Sequence, residues 1–348
     1  MTPSADRLEA AVAAGVIDAV SAERLRAFLE GGDVRAEGPT TVDREEVRFA
    51  RGFHDVFMTV GLVALLFGLR LAILAVVPYE ATPYAFLAGA GLVWALAEVF
   101  TRRQRLVLPS IALAISFVAY VAQAVAAPLL WLPGAPADEP YALPGVALAA
   151  LVAAVLFRLR FRLPFSALLV AAGLIAVLLA GLEAFRPGLA ESVVAPLALG
   201  CGVACFIAAM GFDLMDPERR TLSADNAFWL HLLAAPLIVH ALVSFAAADL
   251  GEASVAQAAA VLGVVAALAL VALLVDRRAL LMSGLIYFGV AIGVLIAQTE
   301  LDNATRFAAS LILLGGFVVA LGAGWRPLRR AVMALAPARL RAALPPAL

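Results

Sequence analysis

Lysine is absent from this sequence: all 25 basic residues of the 348-residue chain are arginine. A chain without lysine has no Schiff-base amine and no phosphate-loop lysine, so two chemistries are excluded at the outset. Exclusive use of arginine fits a GC-rich bacterial genome. Cysteine is nearly absent too. Cys201 and Cys205 both lie inside an apolar run, so no disulfide framework is implied. They stand one helical turn apart among Gly200, Gly202 and Ala204, a pattern of close helix packing. Histidine is limited to His54, His231 and His240. The net charge of -1 gives no bulk attraction to nucleic acid. No Walker loop, HExxH, GxSxG or dinucleotide fingerprint occurs in a suitable context, so no catalytic assignment follows and the cofactor is unknown. The first 50 residues lack the basic and apolar stretch of a cleavable signal peptide, and none is expected.

Apolar residues are abundant. They make up 64% of the chain, and the mean hydropathy is +1.00. The excess is arranged in runs of about 20 residues, the length that crosses about 30 Å of hydrocarbon as a helix. Lipid offers no hydrogen bonds, so only helices and closed barrels span it, and continuous rather than alternating runs exclude barrel strands. The expected fold is therefore an all-α polytopic bundle of about ten transmembrane helices. The runs fall near 54–77, 83–101, 106–127, 141–158, 164–185, 190–212, 227–248, 254–275, 279–297 and 306–325.

Three regions are expected. Residues 1–50 form a cytoplasmic helical hairpin and linker, with helices at 4–14 and 21–30 carrying Leu8 and Val12, and Leu25, Phe28 and Leu29, on their apolar faces. Gly31 and Gly32 stop the second helix, and 33–47 reads as linker. Residues 51–325 form the bundle. Residues 326–348 form a basic amphipathic tail suited to an anionic inner leaflet, interrupted at Pro337.

Ten spans sort the loops into two sets. One holds Arg102, Arg103, Arg105, Arg158, Arg160, Arg162, Arg219, Arg220, Arg277 and Arg278; the other holds only Arg186 and Arg306. The arginine-rich side faces the cytoplasm, and both termini belong to it, with Arg44, Arg48 and Arg51 before the first span and Arg326, Arg329 and Arg330 after the last. The expected location is the bacterial inner membrane. The opposite loops are acidic, with Glu80, Asp138, Glu139, Glu191, Asp249, Glu252, Glu300 and Asp302.

Polar residues inside a membrane are costly and are read first as functional. Arg70 lies deep in the first span, where it can snorkel outward, pair with Glu183 or contact an anion. His231 and His240 share the seventh span. Nine residues separate them by about 13 Å and place them on opposite faces, so they cannot share a metal. Pro236 between them removes a ladder bond, and freed backbone at membrane depth is where transporters build sites. A substrate site is expected among His231, Pro236, His240, Arg70, Gln123 and Tyr287. A metal site for zinc or iron is the weaker alternative, from His54, Asp55, Glu98, Asp225 and His231, with Asp213 nearby at a similar depth; a haem between His54 and His231 is weaker still. Gly284 to Gly293 reads as a packing face.

Residues 8–18, Leu-Glu-Ala-Ala-Val-Ala-Ala-Gly-Val-Ile-Asp, followed by Ser-Ala-Glu-Arg-Leu at 21–25, resemble the cytoplasmic head of an uncharacterised bacterial polytopic membrane-protein family. In it a helical hairpin with a Gly-x-Ile turn precedes many spans. Residues 48–61 and 226–240 are similar to proteobacterial membrane proteins of the same kind. The resemblance covers the layout of the whole chain and brings no activity, so no catalytic residue is carried over. Two functions fit. One is a small-molecule or ion transporter, its ten spans dividing into two inverted fives. The other is a non-transporting sensor, assembly factor or scaffold that meets a protein partner through residues 1–35. The bilayer is a partner in either case, and nucleic acid in neither.

Overall fold

The computed structural model describes residues 8, 10, 12–14, 18–29, 53–131, 139–216, 221–246, 254–338, 341 and 344. The chain divides into two compact units, Met1–Val47 and Arg48–Leu348. In the first, the helix Ala19–Leu29 starts where sequence expects its second helix. Asp18 precedes it and accepts hydrogen bonds from the Ser21 backbone amide (2.8 Å) and hydroxyl (2.6 Å), satisfying donors that a helix start leaves open. Those bonds hold the Asp18 carboxyl below the usual carboxylate range. Leu8 is buried, while Val20 and Leu25 are exposed. Gly31, Gly32 and the linker 33–47 lie outside the described residues.

The second unit is all-α among its described residues. Its ten helices are α1 (Phe53–Val76), α2 (Thr82–Ala97), α3 (Val107–Ala126), α4 (Ala142–Phe161), α5 (Ser166–Phe185), α6 (Leu189–Met215), α7 (Leu222–Ala246), α8 (Val255–Val275), α9 (Ala279–Ala297) and α10 (Asn303–Leu335). They overlap the ten expected runs. Nine are long and apolar enough to cross a membrane among the described residues; α9 contributes the shorter apolar stretch Gly284–Ala297. The chain is thus a multi-pass membrane protein. Its surface supports this: on α10 alone Phe307, Ile312 and Val319 are each more than two-thirds exposed. Water would penalise such a face, whereas hydrocarbon is its natural solvent.

Two packed groups share the helices. The first core gathers Leu62 and Leu66 of α1, Phe86 and Val93 of α2, Leu113 and Phe117 of α3, and Phe157 of α4. Trp94, Phe117, Phe157 and Phe161 form a connected set of tilted and edge-on rings, with centroids 4.5–6.4 Å apart. The second group joins α7, α8 and α9 through Val239, Val261 and Ala291, and α10 through Trp325. Helix α5 packs on α4, α6 and α7 and so links the groups. The final turns of α2 and α3, Glu98–Arg103 and Ala127–Trp131, widen to i→i+5 bonding.

Close approaches occur where sequence places small residues. A side chain at Gly202 would meet Ile238 Cγ1 at 2.8 Å and its backbone nitrogen at 3.0 Å, so α6 and α7 touch nearly backbone to backbone. Cys205 is buried along the same helix. Gly284 contacts α8 and Gly289 contacts α10, whereas Gly293 faces open space.

The last helix differs from expectation. Sequence ends the tenth span near 325, yet α10 runs unbroken to Leu335, through Pro327. Trp325, Arg329 and Met333, one turn apart, are buried. The Trp325 indole N–H donates to Asp276 at 2.9 Å, and Arg329 donates to the Leu273 carbonyl at 3.2 Å and pairs with Asp276 at 3.4 Å. Docking on the α8–α9 turn offsets the ladder bond lost at Pro327. The helix ends at Ala336, just before Pro337.

Replacing Gly202 by valine should destabilise the protein by about 1–3 kcal/mol, because it would meet both the Ile238 side chain and its backbone. Alanine at Gly200, which faces open space, should have almost no effect; thermal unfolding in detergent compares the two. A second expectation concerns Asp302, the cap of α10, which accepts from the Thr305 hydroxyl at 2.6 Å and from the Thr305 and Ala304 amides at 3.1 and 3.0 Å. These bonds hold its carboxyl below the usual range. A lowered folded value means that the cap stabilises above the unfolded value of about 3.9 and is lost as pH falls through the folded value. Hydrogen exchange at the Thr305 amide should accelerate over that acid range relative to mid-helix amides, and Asp302→Asn should abolish the difference.

Candidate functional site

Three hydrogen-bonded groups among the described residues hold the expected site residues that lie deepest in the bundle. The most buried lies at the arginine-rich ends of α6, α7 and α8. His231 is fully buried, and its Nε2 lies 3.0 Å from Asp213 Oδ2. Asp213, also buried, is gripped by Arg277: one Nη is hydrogen-bonded to Oδ1, and Nε reaches Oδ2 at 3.3 Å. The same guanidinium donates to the Ala224 carbonyl at 3.2 Å. Arg277 is 3% exposed, so a full cation and a full anion are withdrawn from water together. Bidentate contact matches the planar guanidinium to the carboxylate and compensates part of the desolvation cost. Phe206 packs edge-on against the imidazole at 5.2 Å.

Each member is placed by simple means. Asp213 stands near the end of α6, with Asp216 three residues later accepting from the Thr221 amide at 2.7 Å and hydroxyl at 2.8 Å. Arg277 follows Asp276, which takes a left-handed conformation (φ 58°) and turns the chain from α8 into α9. Sequence reading named Asp213 and His231 but counted Arg277 only as a topology marker. The usable signal was the sequence Asp276-Arg277-Arg278 between two apolar runs, which puts two cations beside helix ends carrying a carboxylate.

The second group is His240 with Tyr287. Imidazole Nδ1 lies 2.9 Å from the phenol oxygen, linking α7 to α9. His240 is exposed on the bundle surface while His231 is fully buried, so the two histidines do face opposite ways. Pro236 between them is also exposed, and α7 continues through it. Nine residues of helix put this pair about 13 Å farther into the membrane than the Asp213 group. The third group is Arg70 with Gln123: the guanidinium Nε–H donates to the amide oxygen at 2.6 Å, linking α1 to α3. Arg70 does not pair with Glu183, whose carboxylate accepts instead from the Gly188 amide at 2.8 Å. The local turn supplies that donor without a long reach across the bundle. Of the six expected substrate contacts, the structure joins Arg70 to Gln123 and His240 to Tyr287, and sets His231 in a different network.

The expected metal ligands are spread over different partners. Glu98 pairs with Arg160 at 2.7 Å and with Arg102 at 3.4 Å. His54 is exposed beside the buried Asp55 on α1, and Asp225 is exposed in the first turn of α7, where a carboxylate favours the helix dipole. Among the described residues no group of three or more His, Cys, Asp or Glu is placed to hold a metal ion. Of the expected carboxylates, Glu98 is engaged by arginines of the chain itself.

Replacing Arg277 by methionine leaves Asp213 charged and buried, and should cost about 3–5 kcal/mol. Adding Asp213→Asn in the same chain should restore most of that loss. Unfolding in detergent measures both, and a double variant no more stable than Arg277→Met would show that the pair does not act as a unit.

Comparison with protein-family models, with curated proteins and with solved structures gives no match for this chain.

Proposed function

We propose that this protein is a non-transporting component of the bacterial inner membrane, a sensor, assembly factor or scaffold whose output is a protein contact made by residues 1–35. One observation carries this reading: among the described residues, Arg70, Asp213 with His231, and His240 are each bonded to a neighbouring helix of the same chain. A transport site instead needs groups from several helices aimed at one ligand. The arginine-rich turns support a cytoplasmic face for the first unit and for the end of α10. The helix Ala19–Leu29 offers Val20, 63% exposed, and Leu25, 41% exposed. Much of 1–35 lies outside the described residues, so the partner element is defined by sequence alone.

Transport is the second reading, favoured by prolines inside two adjacent helices, Pro196 in α6 and Pro236 in α7. Each frees a carbonyl one turn earlier, and His240 and Tyr287 lie one turn or more beyond Pro236.

Deleting residues 1–35 separates the two. Expressed at native level, the shortened chain should still extract as a monodisperse membrane protein but lose its cross-linked partners. Partners retained after the deletion would exclude the head as the contact, and a solute flux that persisted without the head would establish transport.

A further inference from the structure

Arg70 is the deepest cation of the first packed group, and the structure orients it without neutralising it. Its Nε–H is taken by the Gln123 amide oxygen at 2.6 Å, and Gln123 is itself steadied by donating to the Ala119 carbonyl at 3.1 Å. One turn earlier on α1, the Leu66 carbonyl accepts from the buried Tyr120 hydroxyl at 2.7 Å. The Tyr120 ring lies over Gly89, where any side chain would meet it at 2.3 Å, and against Phe86. Two interhelical hydrogen bonds, one turn apart, therefore set where Arg70 stands and which way its plane faces.

Gln123 is neutral. It consumes one of five guanidinium N–H donors and leaves both Nη groups, the edge that binds an oxyanion in a fork. Among the described residues no carboxylate lies within 4.0 Å of this guanidinium. Carboxylates are not scarce on that side of the bundle: Glu80, Glu139, Glu191, Glu300 and Asp302 all belong to it. Glu183 is engaged locally. The contrast with Arg277 is direct, since that arginine is closed on a carboxylate of the same chain. Arg70 stands six residues before the end of α1, about 9 Å below it, half-buried and within snorkelling reach of the headgroup layer.

We infer that Arg70, oriented by Gln123, is a binding site for a phosphate-type oxyanion at the arginine-poor face of the bundle. The phosphodiester of a phospholipid headgroup and a free inorganic phosphate share the required chemistry, two acceptor oxygens spaced for the guanidinium fork. The site does not depend on the head-mediated function proposed above.

The test uses the full chain, delipidated in neutral detergent, with short-chain phosphatidylglycerol and inorganic phosphate as probes. Thermal shift and native mass spectrometry are the readouts. The phospholipid should raise the melting temperature of the wild-type protein, and Arg70→Gln should weaken that binding about tenfold or more. Gln123→Leu keeps the charge but loses its orientation and should weaken binding several-fold, as should Arg70→Lys, which keeps the charge without the fork. Inorganic phosphate that stabilises the wild type and competes with the lipid would identify a soluble oxyanion as the ligand; phosphate without effect would identify the headgroup. Equal binding by the wild type and all three variants, or no stabilisation of the wild type by either probe, would overturn the proposal. Should Arg70→Gln fail to fold, Gln123→Leu and Arg70→Lys decide it.

Discussion

Hydrocarbon accepts no hydrogen bonds, and the rest of the structure depends on that constraint. It forces the backbone of each span into a helix, and it forces each polar side chain that enters the bundle to find a partner there. Tyr120 bonds to the Leu66 carbonyl, His240 to Tyr287, and Arg70 to Gln123. These bonds tie together helices distant in sequence, α1 to α3 and α7 to α9. In water such pairs would contribute little, because solvent competes for both members. Here the alternative is an unsatisfied group, and the bonds set which helices are neighbours and in what register.

Charge follows the same rule with larger stakes. Asp213, Arg277 and His231 are buried together at the arginine-rich end of the second packed group. Removing any one strands the others, so the network acts as a unit. A second set of contacts, Trp325 and Arg329 on Asp276, docks α10 onto the same turn between α8 and α9. Asp276 thus shapes the chain through its left-handed backbone and receives α10 through its carboxylate, while its neighbour Arg277 closes on Asp213. The α8–α9 turn is the junction on which three helix ends converge. In the first packed group the charged contact of Glu98 with Arg160 and Arg102 is half-exposed, and aromatic rings hold α2, α3 and α4 together.

The Asp213–Arg277 and Glu98–Arg160 pairs neutralise charge within the chain itself. A bundle with charges compensated in this way suits the scaffold role proposed above. Arg70 departs from that pattern, being oriented by a neutral partner on the half of α1 away from the arginine-rich turns.

The helices were legible in the sequence because a span is a local property: about 20 apolar residues satisfy their own backbone, and no distant contact is needed to form it. The ten runs, the Gly202 face and the outward-and-inward placement of His240 and His231 all follow from spacing along one helix. What the polar residues meet was not legible, because a partner is set by rotation and register between helices far apart in sequence. Glu183 was a chemically sound partner for Arg70, but the fold supplied Gly188 to one and Gln123 to the other. Arg277 looked like one arginine among many in the arginine-rich loops until the turn at Asp276 brought it onto Asp213. The length of α10 was not legible for the same reason: the apolar run ends near 325, and the docking of Trp325 and Arg329 carries the helix on to Leu335. Sequence alone determined which segments enter the membrane, through free energy of transfer; tertiary structure decided which charges are neutralised, through geometry that no single helix contains.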